Sequence, residues 1–207
     1  MITTQLLAAL AAFALVSSIT PGPNNLMLMA SGINFGVSRT IPHMLGVAIG
    51  FTLMIVLVGL GMMEFIEAVP GSITFITVAS GLYLLYMAWK IASTETVPAE
   101  SGSGQAQSKP MSFVQAALFQ WVNPKAWTMA LTAISAYAPK SQGWLGVIIV
   151  AAVFGAINLP STSLWAVMGA KMRRFLGDPV RLRAFNIVAA LLLVGSLYPM
   201  LAGLKAI

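Results

Sequence analysis

Two short segments hold most of the chemistry open to this chain: Thr20-Pro21-Gly22-Pro23-Asn24-Asn25 and Asn123-Pro124-Lys125, whose prolines lie about half a chain apart. Each interrupts an apolar run. Proline has no N–H to donate and its ring clashes with the carbonyl one turn back, so each interruption frees backbone groups. In lipid a lone carbonyl costs several kcal/mol, and irregular backbone survives only inside protein or beside a watery cavity. Two breaks facing each other would offer carbonyls to an ammonium group and helix N-termini to a carboxylate. A zwitterionic amino acid presents both. Pro21, Gly22, Pro23, Asn24, Asn25, Asn123, Pro124, Lys125 and Asn158 are therefore the candidate substrate-binding residues. A plain proline kink is the rival reading. It suits Pro160, which stands alone in its run, better than the cluster at 21–25, since a kink needs one proline.

Lys125 is the one cation inside an apolar span by this reading. An intramembrane charge costs roughly 2.5–3.5 kcal/mol on insertion scales, which makes it a functional candidate by default. It could bind a substrate carboxylate or take part in proton exchange; the alternatives are snorkelling to an interface or pairing with freed carbonyls. The asparagine amides donate and accept at once, as a zwitterion requires. Their alternative is packing between helices, worth roughly 0.6 kcal/mol per bond, and for Asn158 the two readings weigh equally. His43, the only histidine, titrates in a range suited to a proton carrier, although anchoring at an interface is the commoner role of a lone histidine there. No Asp or Glu lies in a span interior, so proton coupling has no obvious carboxylate relay.

These residues sit in a chain of 207 residues with 58% hydrophobic and 8% charged side chains. Soluble domains carry roughly 25% charged residues, so this surface must face lipid. The net charge of +6 would suggest nucleic acid in a soluble protein; here the basic residues sit in short gaps between apolar runs and act as topology signals. Cysteine is absent, which removes disulfides, thiolate metal sites and cysteine nucleophiles. No cofactor or metal site is expected, and no Walker pattern is present.

A span needs about 20 apolar residues. Six candidates follow: Gln5 to Ser31, interrupted at Thr20–Asn25; Met44 to Met63; Gly71 to Trp89; Phe113 to Tyr137, interrupted at Asn123–Lys125; Trp144 to Met168; and Ala184 to Leu204. No Lys or Arg precedes the first run, so it lacks the n-region of a cleavable signal and is expected to remain. Residues 93–111 form a Ser-, Gly-, Gln- and Pro-rich linker dividing the chain into a first repeat, 1–92, and a second, 112–207. Three spans per half is an odd number, so a second half built like the first inserts upside down. The expected fold is all-α and integral to the membrane: two inverted three-helix repeats, the first helix of each broken. Paired interruptions at corresponding positions point to a transporter's binding site.

Eight basic residues (Arg39, Lys90, Lys109, Lys171, Arg173, Arg174, Arg181, Arg183) fall on one side of the expected membrane, against Lys140 and Lys205 on the other. The positive-inside rule then puts both termini outside and the linker in the cytoplasm. Gly46 and Gly50 form a small-xxx-small pair suited to tight internal packing ahead of dimerisation, with a homo-oligomer left open. Trp89, Trp144 and Trp165, near span ends, read as interface anchors.

At these motifs the sequence resembles the LysE/RhtB family of amino-acid exporters. The resemblance is carried by Thr20–Asn25, Gly32 to Gly36, Ala88-Trp89-Lys90-Ile91-Ala92, Phe119-Gln120-Trp121-Val122-Asn123-Pro124-Lys125 and the run Asn186 to Val194. It covers nearly the whole chain, and its nearest branch exports cysteine and O-acetylserine. The resemblance implies secondary efflux from the bacterial inner membrane, driven by the proton motive force, with an amino acid and protons as partners. The expected function is export of amino acids or related metabolites by alternating access. A passive channel is the main rival and would need a continuous polar stripe; a membrane enzyme is the lesser one, with little acid–base or metal chemistry available.

Overall fold

The structure, a computed structural model, describes residues 3–94, 109–176 and 178–198. Every regular element among them is helical: α1 (Thr4–Ile19), α2 (Pro23–Phe35), α3 (Val37–Leu57), α4 (Met63–Ala68), α5 (Ser72–Ala92), α6 (Phe113–Phe119), α7 (Pro124–Tyr137), α8 (Gly143–Met172) and α9 (Pro179–Gly195). Polar residues set several starts. Thr3 accepts from the Leu6 N–H, Ser112 and Gln115 form a reciprocal capping box, and Asp178 accepts from Val180 ahead of α9. Each fills donors that a first helical turn leaves open.

Large apolar side chains face outward, Phe75 at 74% and Leu191 at 65% exposure, while Asn25, Thr40, His43, Gln120, Asn123, Asn158 and Asn186 are buried. A protein in water does the reverse. Among the described residues three helices are long and apolar enough to cross a membrane: Val37–Ala68, Ser72–Ala92 and Gly143–Met172. The pair α1 and α2, bent by 54°, makes a fourth if it is one span. The expected fourth span is cut by its break into α6 with one 3-10 turn and the 14-residue α7. The expected end of the sixth span and residues 95–108 of the linker lie outside the described residues.

The first break is narrower than the sequence suggested, and the second lies earlier in the chain. Pro23 occupies the first position of α2, where its missing N–H costs nothing, so Asn24 and Asn25 are helical. The second break covers Gln120 to Asn123, and Pro124 and Lys125 open α7. The second expected span begins earlier, at Val37, and continues through a wide π turn at Val58–Met62 into α4. Gly61 there has φ 97, a conformation glycine adopts without a Cβ penalty. Pro160 sits inside an uninterrupted α8, where the Ser161 and Thr162 hydroxyls bond back to the carbonyls of Ile157 and Asn158.

α8 forms the centre of the bundle, with α1, α2 and α3 packed on it; α6 packs on α3, and α5 on α9. Small residues make the close crossings. Gly32 of α2 lies against the Ala166 carbonyl and Gly169 of α8 against that of Met29, so side chains of any size would force the helices apart. Gly46 and Gly50 serve internal packing as expected: a Cβ on Gly50 would fall 2.6 Å from Ala117 Cα in α6.

Candidate functional site

The first break leaves a run of carbonyls that the helix ladder cannot serve. Thr20 N–H bonds to Val16 O, and Gly22 is fully extended. Pro21 and Pro23 have no N–H to offer Ser17 and Ile19. Side chains from three other helices take up the freed groups. Asn25 Nδ2 of α2 donates to Ser18 O at 2.7 Å and Thr20 O at 2.8 Å. Trp165 Nε1 of α8 donates to Ile19 O at 3.1 Å, so this tryptophan tethers the break. Lys125 Nζ of α7 donates to Thr20 O at 2.6 Å and reaches Pro21 O at 3.5 Å.

The second break is built from amides. Asn123, extended at φ −99 and ψ 107, caps α7 by accepting from the Lys125 N–H at 3.1 Å. One turn earlier Gln120 is fully buried. Its Nε2 donates to Ala116 O at 2.8 Å and to Asn24 Oδ1 at 3.2 Å, and its Oε1 accepts from Asn24 Nδ2 at 2.8 Å. The breaks are therefore joined twice, by this reciprocal amide pair and by the Lys125 ammonium on the Thr20 carbonyl.

Between them lies a cavity lined by Gly22, Asn24, Asn25, Asn123, Lys125 and Asn158, with the Ser17, Ser18 and Thr162 side chains and apolar walls from Phe51, Ala126 and Met129. Its volume of about 20 Å³ holds about one water and no amino acid. Asn158 Nδ2 donates to Ser18 Oγ at 3.2 Å, and its buried Oδ1 has no partner among the described residues. Gly22 is there for space: a Cβ would sit 2.7 Å from Lys125 Cδ.

Other candidates fall elsewhere. Pro21 contributes only its carbonyl, and Pro23 is buried at the head of α2. Pro124 faces a separate apolar crevice with Trp127 and Leu131. His43 is buried in a different cavity, beside Lys90 and Lys109, and shares none of the lining of the first. Sequence reasoning passed over Gln120 and Ser18, although a glutamine one turn before a break inside an apolar run is the same signal that singled out Asn123.

Chemically the site offers carbonyl and amide acceptors beside one ammonium donor, against apolar walls. The family model described as LysE type translocator matches residues 15–196. The cysteine/O-acetylserine efflux proteins of Escherichia coli strain K12 and of Shigella sonnei strain Ss046 are each 31% identical to this chain over 194 residues, covering 93% of it and 95% of the relative. No solved structure matches.

Proposed function

We propose that this chain, which belongs to the LysE type translocator family, exports amino acids or closely related metabolites across the bacterial inner membrane, coupled to protons and working by alternating access. The relatives' substrates, cysteine and O-acetylserine, are the first to test. Membership of a translocator family speaks for transport and against catalysis.

The observation that carries the reading is the Lys125 ammonium seated on the carbonyl of the opposite break. In the closed form it occupies the place a substrate ammonium would take. An arriving zwitterion would offer its own ammonium to Thr20 O and Pro21 O and release Lys125 to meet the carboxylate. The exchange swaps one charge-assisted bond for another, so neither partner is left bare in a low-dielectric site. The small cavity means that the breaks must part to admit a solute, which disconnects the Asn24–Gln120 pair and the Lys125 tether together. Such a movement is what alternating access requires.

The six-span inverted repeat is part of the same proposal. It is supported by the pairing of helices, which is unchanged when the halves are exchanged. The broken first helix of each half packs on the second helix of the other, α1 and α2 on α8 and α6 on α3, and the third helices α5 and α9 pair together. On this reading the basic loops and the linker lie in the cytoplasm and both termini outside. Proton coupling through Lys125 or His43 belongs to the proposal as well.

The test is efflux of a labelled amino-acid panel from expressing and non-expressing cells, with and without an uncoupler. Expression should speed loss of at least one amino acid, and the uncoupler should remove the gain. Lys125→Gln should abolish transport while insertion stays normal. Equal efflux with and without the protein for every solute removes the exporter reading. Efflux indifferent to the uncoupler removes proton coupling alone, and transport retained in Lys125→Gln assigns that residue to structure.

A further inference from the structure

The cavity that holds His43 lies at the basic end of the bundle, apart from the site between the breaks. It is bounded by the end of α2, the start of α3, the end of α5 and the segment leading into α6. His43 is 1% exposed, and neither ring nitrogen has a partner among the described residues. Asn34 Nδ2 is engaged with Ala30 O at 2.8 Å and Asn186 Oδ1 at 3.3 Å, but its Oδ1 is buried and unpaired. Lys90 and Lys109 line the same space, and among the described residues no Asp or Glu does so. The volume is about 40 Å³, enough for a few waters or a carboxylate-sized group.

Buried polar atoms are nearly always hydrogen-bonded, and an orphan asks for an explanation. Here the two residues that carry the three orphaned atoms line one cavity together with two lysines. The hydroxyls of Ser31 and Thr40 bond to each other at 2.9 Å, and that of Thr40 also to Gly36 O at 2.8 Å. We infer that this cavity is a second solute site, which takes the carboxylate of a small zwitterion between Lys90 and Lys109 with a His43 N–H as third donor, while Asn34 Oδ1 accepts from the solute's ammonium. Asn34 stands one turn from the close crossing of α2 on α8, and α2 begins at the first break, so solute held here rests at the far end of the helix whose start lines the transport cavity. The inference rests on the proposed amino-acid substrate for its ammonium contact; the carboxylate contact does not need that premise.

A single histidine makes the site directly observable. The protein, purified without a histidine tag into lipid nanodiscs and labelled in histidine, gives one imidazole resonance set. It is titrated with glycine, acetate, methylammonium chloride and sodium chloride at matched ionic strength. Glycine and acetate should move the His43 signals saturably, with glycine binding more tightly, and the two chlorides should not. Lys90→Gln/Lys109→Gln should weaken both responses at least tenfold, whereas Lys125→Gln, which strikes only the other site, should leave them unchanged. No saturable response to glycine or acetate overturns the inference, as do an equal response to sodium chloride and a response unaffected by loss of both lysines. Acetate binding without efflux of any amino acid would sink the exporter reading and leave an anion site standing. Lys125-dependent efflux with a silent His43 would do the reverse.

Discussion

Replacing Asn25 by leucine, close to it in size but unable to donate, removes the side chain that closes the first break. Two bonds are lost, to Ser18 O at 2.7 Å and Thr20 O at 2.8 Å. The two losses differ. Thr20 O keeps Lys125 as a partner, so that bond costs only the roughly 0.6 kcal/mol typical of interhelical polar contacts. Ser18 O has no other bonded partner among the described residues and becomes a buried orphan, at about 1–3 kcal/mol. The expected destabilisation is therefore about 2–4 kcal/mol. Asn24→Leu tests the link between the breaks in the same way. It removes the pair with Gln120. The Gln120 Nε2 still holds Ala116 O, but Oε1 of this fully buried side chain loses the one partner it has among the described residues, so this variant should also cost about 1–3 kcal/mol. Reversible unfolding in mixed micelles, followed by tryptophan fluorescence, measures both. A loss under about 0.5 kcal/mol for Asn25→Leu would refute the claim that carbonyl satisfaction holds the break together, and one that small for Asn24→Leu would refute the same claim for the amide pair.

Two further outcomes follow from close approaches. Gly22→Ala places a Cβ 2.7 Å from Lys125 Cδ; the flexible lysine stem yields, so stability should change by less than about 1 kcal/mol while efflux falls at least tenfold, and unaltered transport would show that the position of the ammonium does not matter. Gly169→Val drives a side chain into the Met29 carbonyl, where no flexible atom can give way. It should cost at least about 1–3 kcal/mol in the same unfolding assay, and Gly195→Val, with open space around it, should cost far less.

The membrane class followed from composition alone, because sixteen charged residues cannot clothe 207 in water. The two breaks followed from proline chemistry, which acts on the local chain whatever surrounds it. Their limits did not: the sequence shows where proline removes a donor, but Pro23 and Pro124 each also begin a new helix, so the irregular stretch stops at them and the asparagines and lysine beyond are helical.

What the tertiary structure decided is which groups meet. Nearly uniform apolarity leaves the helices without a periodic signal for their inward faces, so nothing along the chain pairs Asn24 with Gln120, ninety-six positions away, sends Lys125 to the carbonyl of Thr20, or brings Trp165 to Ile19. The same blindness grouped His43 with Lys125, although the fold separates them into different cavities. Lost backbone hydrogen bonds are a local property and can be read from residue types. Their replacement partners come from other helices, and only packing in three dimensions chooses them.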